Sequence, residues 1–137
     1  MKTMLTTCAA LVLLAGCTPE TPKGERAASG RALYNDNCAV CHGRKADGNG
    51  PLASKLEVRP ANLSELALNN GGVFPADDTI AKVHGYSNSD HFADMPEFGS
   101  VFTGPEVMWT TADGARIPTT QNMITLVKYL ESLQVSE

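Results

Sequence analysis

Cys38-Ala39-Val40-Cys41-His42 is the stretch that decides this chain. Two thiols separated by two residues and followed at once by an imidazole form the attachment pattern of a c-type haem. The thiols can add across the porphyrin vinyl groups as thioethers, and His42 then falls beneath the iron as its first axial ligand. Two other chemistries compete for the same residues. A zinc site usually takes four ligands, often two Cys pairs, but the other cysteines, Cys8 and Cys17, stand in an N-terminal segment of different character. A thioredoxin-like Cys-x-x-Cys belongs beside a βαβ pattern, and the glycine-rich residues after His42 carry no parallel-strand signal. One covalent haem c, held by Cys38 and Cys41 with His42 on the metal, is the expectation.

The N-terminus agrees with an exported protein. Residues 1–17 begin with Lys2, run through the apolar Cys8-Ala9-Ala10-Leu11-Val12-Leu13-Leu14 and reach small residues, which reads as a secretory signal peptide too short to span a bilayer. Its end, Leu14-Ala15-Gly16-Cys17, resembles a bacterial lipobox, in which the Cys is lipidated and becomes the new N-terminus. Two or more acyl chains anchor a protein stably. Ordinary cleavage with Cys17 incidental is the alternative. The expected organisation is a signal peptide over 1–16, a lipid-anchored Cys17 with a flexible linker over 17–26, and one domain over 27–137. Pro19, Pro22, Lys23 and Gly24 mark the linker, whose nine residues after Cys17 reach roughly 30 Å when extended. The domain is therefore expected at a bacterial membrane, facing the periplasm, with partners close to the membrane surface.

Loss of residues 1–16 removes Lys2 and moves the formal charge from −4 to −5. A mildly acidic surface disfavours nucleic acid as a partner. The mature length suits one domain with a core of its own, and the single haem motif argues against a multihaem array.

Around the motif the sequence resembles the class I cytochrome c family, over most of residues 27–134. Gly30 and Tyr34 precede Cys38 by eight and four residues, as small and aromatic residues do in that family's first helix. Residues 120–133 carry apolar positions at Met123, Ile124, Val127 and Leu130, with a second row at Leu126, Tyr129 and Leu133, and Thr119 or Thr120 offers a cap. The resemblance implies that the terminal helices cross where Gly30 and Tyr34 meet Leu126 and Tyr129. It also implies a mostly α-helical fold of three to five helices around one haem.

The loop Gly43-Arg44-Lys45-Ala46-Asp47-Gly48-Asn49-Gly50-Pro51 cannot be helical. Pro51 resembles the family proline whose carbonyl accepts the proton on His Nδ1, a bond that fixes the imidazole's tautomer. Two further helices are expected, a short one capped by Asn62 with Glu65 following, and one over 77–84.

A low-spin carrier needs a second axial ligand, usually Met or His. Met95, in Met95-Pro96-Glu97-Phe98, resembles the family's distal ligand loop. Its rivals are His84, His91, Met108 and Met123, the last on the face of the final helix. The chain departs from the compact family pattern over residues 100–119. There Val107, Trp109 and Thr111 alternate, Asp113-Gly114 signals a turn, and Ala115-Arg116-Ile117 can return, so a small β-hairpin is expected before the last helix. Trp109 stands after the Met, so the family's Trp contact to a haem propionate does not carry over. Arg59 and Asn62 are its candidate substitutes.

The resulting expectation is a one-electron carrier, not an enzyme, with His/Met ligation and redox-protein donor and acceptor. A fixed haem subunit of a larger oxidase or dehydrogenase, with the hairpin and Trp109 as docking surface, is the alternative, as is a ligand-binding or sensing haem should Met95 not ligate.

Overall fold

The computed structural model describes residues 23–86 and 95–135. Its last helix, α4 (Gln121–Ser132), starts where Thr120 leaves extended backbone and its hydroxyl accepts from the Met123 amide at 3.2 Å. That bond satisfies one of the donors that every helix start leaves open. Met123, Leu126, Val127 and Leu130 fall on one face and are each no more than 2 % exposed. Burying each such side chain contributes about 1.5–3 kcal/mol.

The face is covered by α1 (Lys23–Asn37). At the crossing, a Cβ on Gly30 would sit 2.5 Å from Tyr129 Cβ and 2.7 Å from the Thr125 carbonyl oxygen, so only glycine lets the backbones come this near. One turn later Tyr34 is fully buried, its ring 5.7 Å from that of Tyr129. Gly30 and Tyr34 thus meet Tyr129 as the resemblance implied, with Leu126 fully buried beside them. The helix begins inside the stretch read as linker. Lys, Glu and Arg are good helix formers, and Lys23, Glu25 and Arg26 let the helix extend by a turn.

Between these helices the chain is mostly short pieces: α2 (Ala39–His42) and three 3₁₀ turns at Ala53–Lys55, Leu63–Glu65 and Leu68–Asn70. The helix expected after Asn62 shrinks to the second of these turns. Asn62 still caps it, accepting from the Ser64 amide at 3.1 Å, but Asn69-Asn70-Gly71-Gly72 cannot sustain a helix. α3 (Ala76–His84) is a full helix that ends on Gly85, whose φ of 95° suits glycine. It buries Ile80 and Val83 in the core shared with Phe102 and α4.

The hairpin is present as β1 (Glu106–Thr110) and β2 (Arg116–Thr120), antiparallel, with Val107 opposite Thr119 and Trp109 opposite Ile117. Its orientation corrects the reading of Trp109 as a partner anchor. The indole is partly buried against the core and its Nε1–H donates to Asp77 Oδ1 at 2.6 Å, in the first turn of α3. Alternation puts Trp109 on the inward side, and Met108, which points the other way, is 46 % exposed. The architecture is mostly helical with one small hairpin before the last helix, the class expected.

Candidate cofactor-attachment site

Cys38 continues directly from α1, its amide donating to the Tyr34 carbonyl at 2.8 Å. The next turn is closed by Cys41 and His42, whose amides both donate to the Cys38 carbonyl, at 3.1 and 2.9 Å. These bonds place the two thiols and the imidazole on one closed turn. Both thiols are free and partly exposed. Burial, then the neighbouring Cys41, pushes the Cys38 thiol up to about 12. A redox or nucleophilic cysteine works as a thiolate with a lowered pKa, and Cys38 is shifted the opposite way.

Gly43 ends the turn with φ of 80°, and its carbonyl accepts the buried Tyr34 hydroxyl at 2.7 Å. Burial first, and then the nearby Cys38, raises the Tyr34 pKa well above its usual value, which keeps the phenol a donor. The following loop folds back along the motif. Gly48 donates to the His42 carbonyl at 2.9 Å, Gly50 to Cys41 at 3.0 Å and Leu52 to Val40 at 2.9 Å. A Cβ on Gly50 would lie 2.5 Å from the carbonyls of Val40 and Cys41, and one on Gly48 would strike the Pro60 carbonyl. Glycine is therefore required for this close wrapping.

His42 Nδ1 lies 3.0 Å from the Ala61 carbonyl oxygen. A carbonyl only accepts, so Nδ1 carries the proton and Nε2 is left with the lone pair that can bind a metal. Burial lowers the His42 pKa, against the smaller opposing effect of the Ala61 bond, and this favours the neutral, ligating imidazole.

Ala61 is a correction to the reading of Pro51 as the acceptor for Nδ1. Pro51 is exposed, carried outward as its neighbours Gly50 and Leu52 bond back onto the Val40–Cys41 carbonyls. Two ties bring the later segment down instead. Arg59 Nη2 donates to Asn49 Oδ1 at 2.5 Å, and the Leu63 amide donates to the Ala46 carbonyl at 2.7 Å, so Ala61 is held between them over His42. The C-terminus secures the far side. Gln134 accepts from the Ala67 amide at 2.8 Å and donates to the Leu63 carbonyl at 2.8 Å, and Val135 donates to Ser64 at 2.9 Å. The sequence signal for Ala61 was Pro60, a second proline that keeps the chain extended just before it. Arg59 and Asn62, the candidate propionate contacts, are engaged with Asn49 and Ser64.

Of the candidate second ligands, Met95 is partly buried and packs against the core. Met123 is 1 % exposed within the α1–α4 core, whereas Met108 lies on the outward face of β1. His84 stacks on Tyr86 with ring centroids 3.7 Å apart. His91, Cys17 and residues 1–16, read as a signal peptide, lie outside the described residues.

The donor set fits a covalent haem: two free thiols on one hydrogen-bonded turn, and an imidazole whose Nδ1 is occupied while Nε2 is not. A family model described as cytochrome c oxidase, cbb3-type, subunit III matches residues 25–112. No curated protein and no solved structure matches the chain.

Proposed function

The chain belongs to the family of cytochrome c oxidase, cbb3-type, subunit III, and from that premise we propose that it is a membrane-tethered one-electron carrier with His/Met iron ligation. Members of this family bind c-type haem covalently, and a cytochrome c domain serves haem-based electron transfer. The bound haem supplies the reversible one-electron couple. The rest falls to the protein. Cys38 and Cys41 tether the porphyrin, and His42 ligates the iron through Nε2. Ala61 holds the proton on Nδ1, which fixes the ring and raises its basicity toward the metal. Met95 would supply the second iron ligand, and a thioether in that role raises the potential. Cys17 bears the lipid and keeps the domain on the periplasmic side of a bacterial membrane, within reach of a redox-protein donor and acceptor. The observation that carries this reading is the His42–Ala61 bond beside two free thiols.

Acidified acetone should leave the haem on the wild-type protein, and replacing Cys38 and Cys41 together by Ala should abolish it. The oxidised protein should be low-spin with the near-infrared band of sulfur bound to ferric haem, and Met95→Ala should lose that band and admit cyanide. Haem extracted freely from wild type would sink the attachment, and a band surviving Met95→Ala would reassign the ligand.

The family's description favours a second role, as a fixed subunit of an oxidase. Co-purification of a larger haem complex after mild detergent extraction separates that role from a free carrier.

A further inference from the structure

Three consecutive contacts join the end of α3 to the residues just after Met95. The Phe98 amide donates to the Val83 carbonyl at 2.9 Å. Gly99 lies so close to His84 that a Cβ there would be 2.7 Å from the His84 carbonyl oxygen and 2.8 Å from its Nδ1. Glu97 packs over Gly85, where a Cβ would lie 2.6 Å from the Glu97 side chain. Phe98 is also tied forward, its carbonyl accepting from the amides of Val101 and Phe102 at 2.9 and 3.2 Å, with the Phe98 and Phe102 rings 5.9 Å apart. Phe102 is 1 % exposed, so the seam is rooted in the core.

Met95 leaves this seam only two residues before Glu97, with Pro96 fixing φ between them. A flexible thioether on an irregular loop has many places to go. A loop pinned at Glu97, Phe98 and Gly99 has few, and the entropy of ordering Met95 is largely met before it binds anything. We propose that the packing of Gly99 on His84 and of Glu97 on Gly85 positions the Met95 thioether toward the iron, which makes Gly99 and Glu97 positioning residues for axial ligation. This rests on the reading of Met95 as the distal ligand. Gly99 is glycine for its closeness to His84, because the obstructing atoms include backbone, which cannot turn aside as a side-chain tip can.

The test uses the full-length, haem-loaded protein. Gly99→Ala should keep its haem through acidified acetone yet weaken the near-infrared sulfur band and bind cyanide about tenfold more tightly, as withdrawal of about 1.4 kcal/mol from the competing iron–sulfur bond would give. Gly114→Ala is the control. It places a side chain at positive φ, at 87°, a backbone strain that Gly99→Ala does not carry, but meets nothing within 4 Å and lies in the hairpin turn. It should leave band and cyanide affinity unchanged. Glu97→Ala, which empties the space over Gly85 without adding an atom, should move both readouts in the same direction and carries the test if Gly99→Ala does not accumulate. A melting temperature lowered in Gly99→Ala with band and cyanide affinity at wild-type values would assign the seam to stability alone and overturn the proposal. Loss of the band in Met95→Ala together with unchanged Gly99→Ala and Glu97→Ala overturns the seam and leaves the ligand reading standing. A band that survives Met95→Ala overturns both.

Discussion

Asp77 accepts a hydrogen bond from the indole of Trp109 across 32 residues of chain, Nε1 to Oδ1 at 2.6 Å. Its second oxygen accepts from the Ala112 amide at 2.8 Å, so one carboxylate in the first turn of α3 holds both the strand and the turn of the hairpin. A carboxylate at a helix N-terminus is itself favoured by the helix dipole. The hairpin is thereby a flap fastened to the domain.

Asp77→Ala should therefore destabilise the protein by about 1–3 kcal/mol, the cost of leaving a partly buried donor unmet. Trp109→Phe should cost less, since it keeps the ring and removes only the donor. Replacing residues 101–117 with a short Gly-Ser link should lower the melting temperature clearly, because Phe102 leaves the core with it. Thermal melts that coincide with wild type for Asp77→Ala would show the fastening to be energetically idle.

The helix crossing makes a sharper claim. Gly30→Ala adds a single methyl where 2.5 Å separates it from Tyr129 Cβ, so the helices must part, at a cost of about 1–3 kcal/mol. Denaturant unfolding should move to a lower midpoint with the haem spectrum intact. A midpoint unchanged from wild type would mean that the crossing adjusts freely.

Cys17→Ser should release the protein from the membrane without altering its haem spectrum. Cys17, the proposed site of the lipid, and the Cys38–His42 motif are separated by the whole length of α1. A Ser variant that remains membrane-bound after high-salt and carbonate washing would exclude lipid as the anchor.

Part of the protein's acid sensitivity should come from two exposed turns. Asp113 is held below its ordinary carboxylate value chiefly by the Thr111 hydroxyl and then by the Ala115 amide, and Asp47 likewise by Asn49. A depressed folded-state pKa means that the unfolded chain binds protons first as pH falls, so this stabilisation is complete above the ordinary value of 3.8 and is lost as pH drops below it. Asp113→Asn should flatten the dependence of melting temperature on pH below about 4. An identical slope in the variant would assign the acid sensitivity elsewhere.

Much of this was legible in the residues. The Cys38-x-x-Cys41-His42 spacing, the Thr120 cap, the apolar face of α4 and the alternation of the hairpin all depend on contacts within a turn or across a tight return. Local periodicity writes such contacts directly into sequence. The same logic failed after Asn62, where a capping pattern was present but the Asn and Gly residues behind it stopped the helix at three residues.

The sequence by itself pointed to the attachment motif and determined the last helix and the presence of a hairpin, since each is a matter of spacing along one segment. Only the tertiary structure decided which carbonyl faces His42 and which way Trp109 turns. Ala61 lies 19 residues beyond His42 and Asp77 32 before Trp109. Partners that far apart meet only through the path of the whole chain. That path is set here by Arg59 on Asn49, Leu63 on Ala46 and Gln134 on Leu63, none of which leaves a periodic trace.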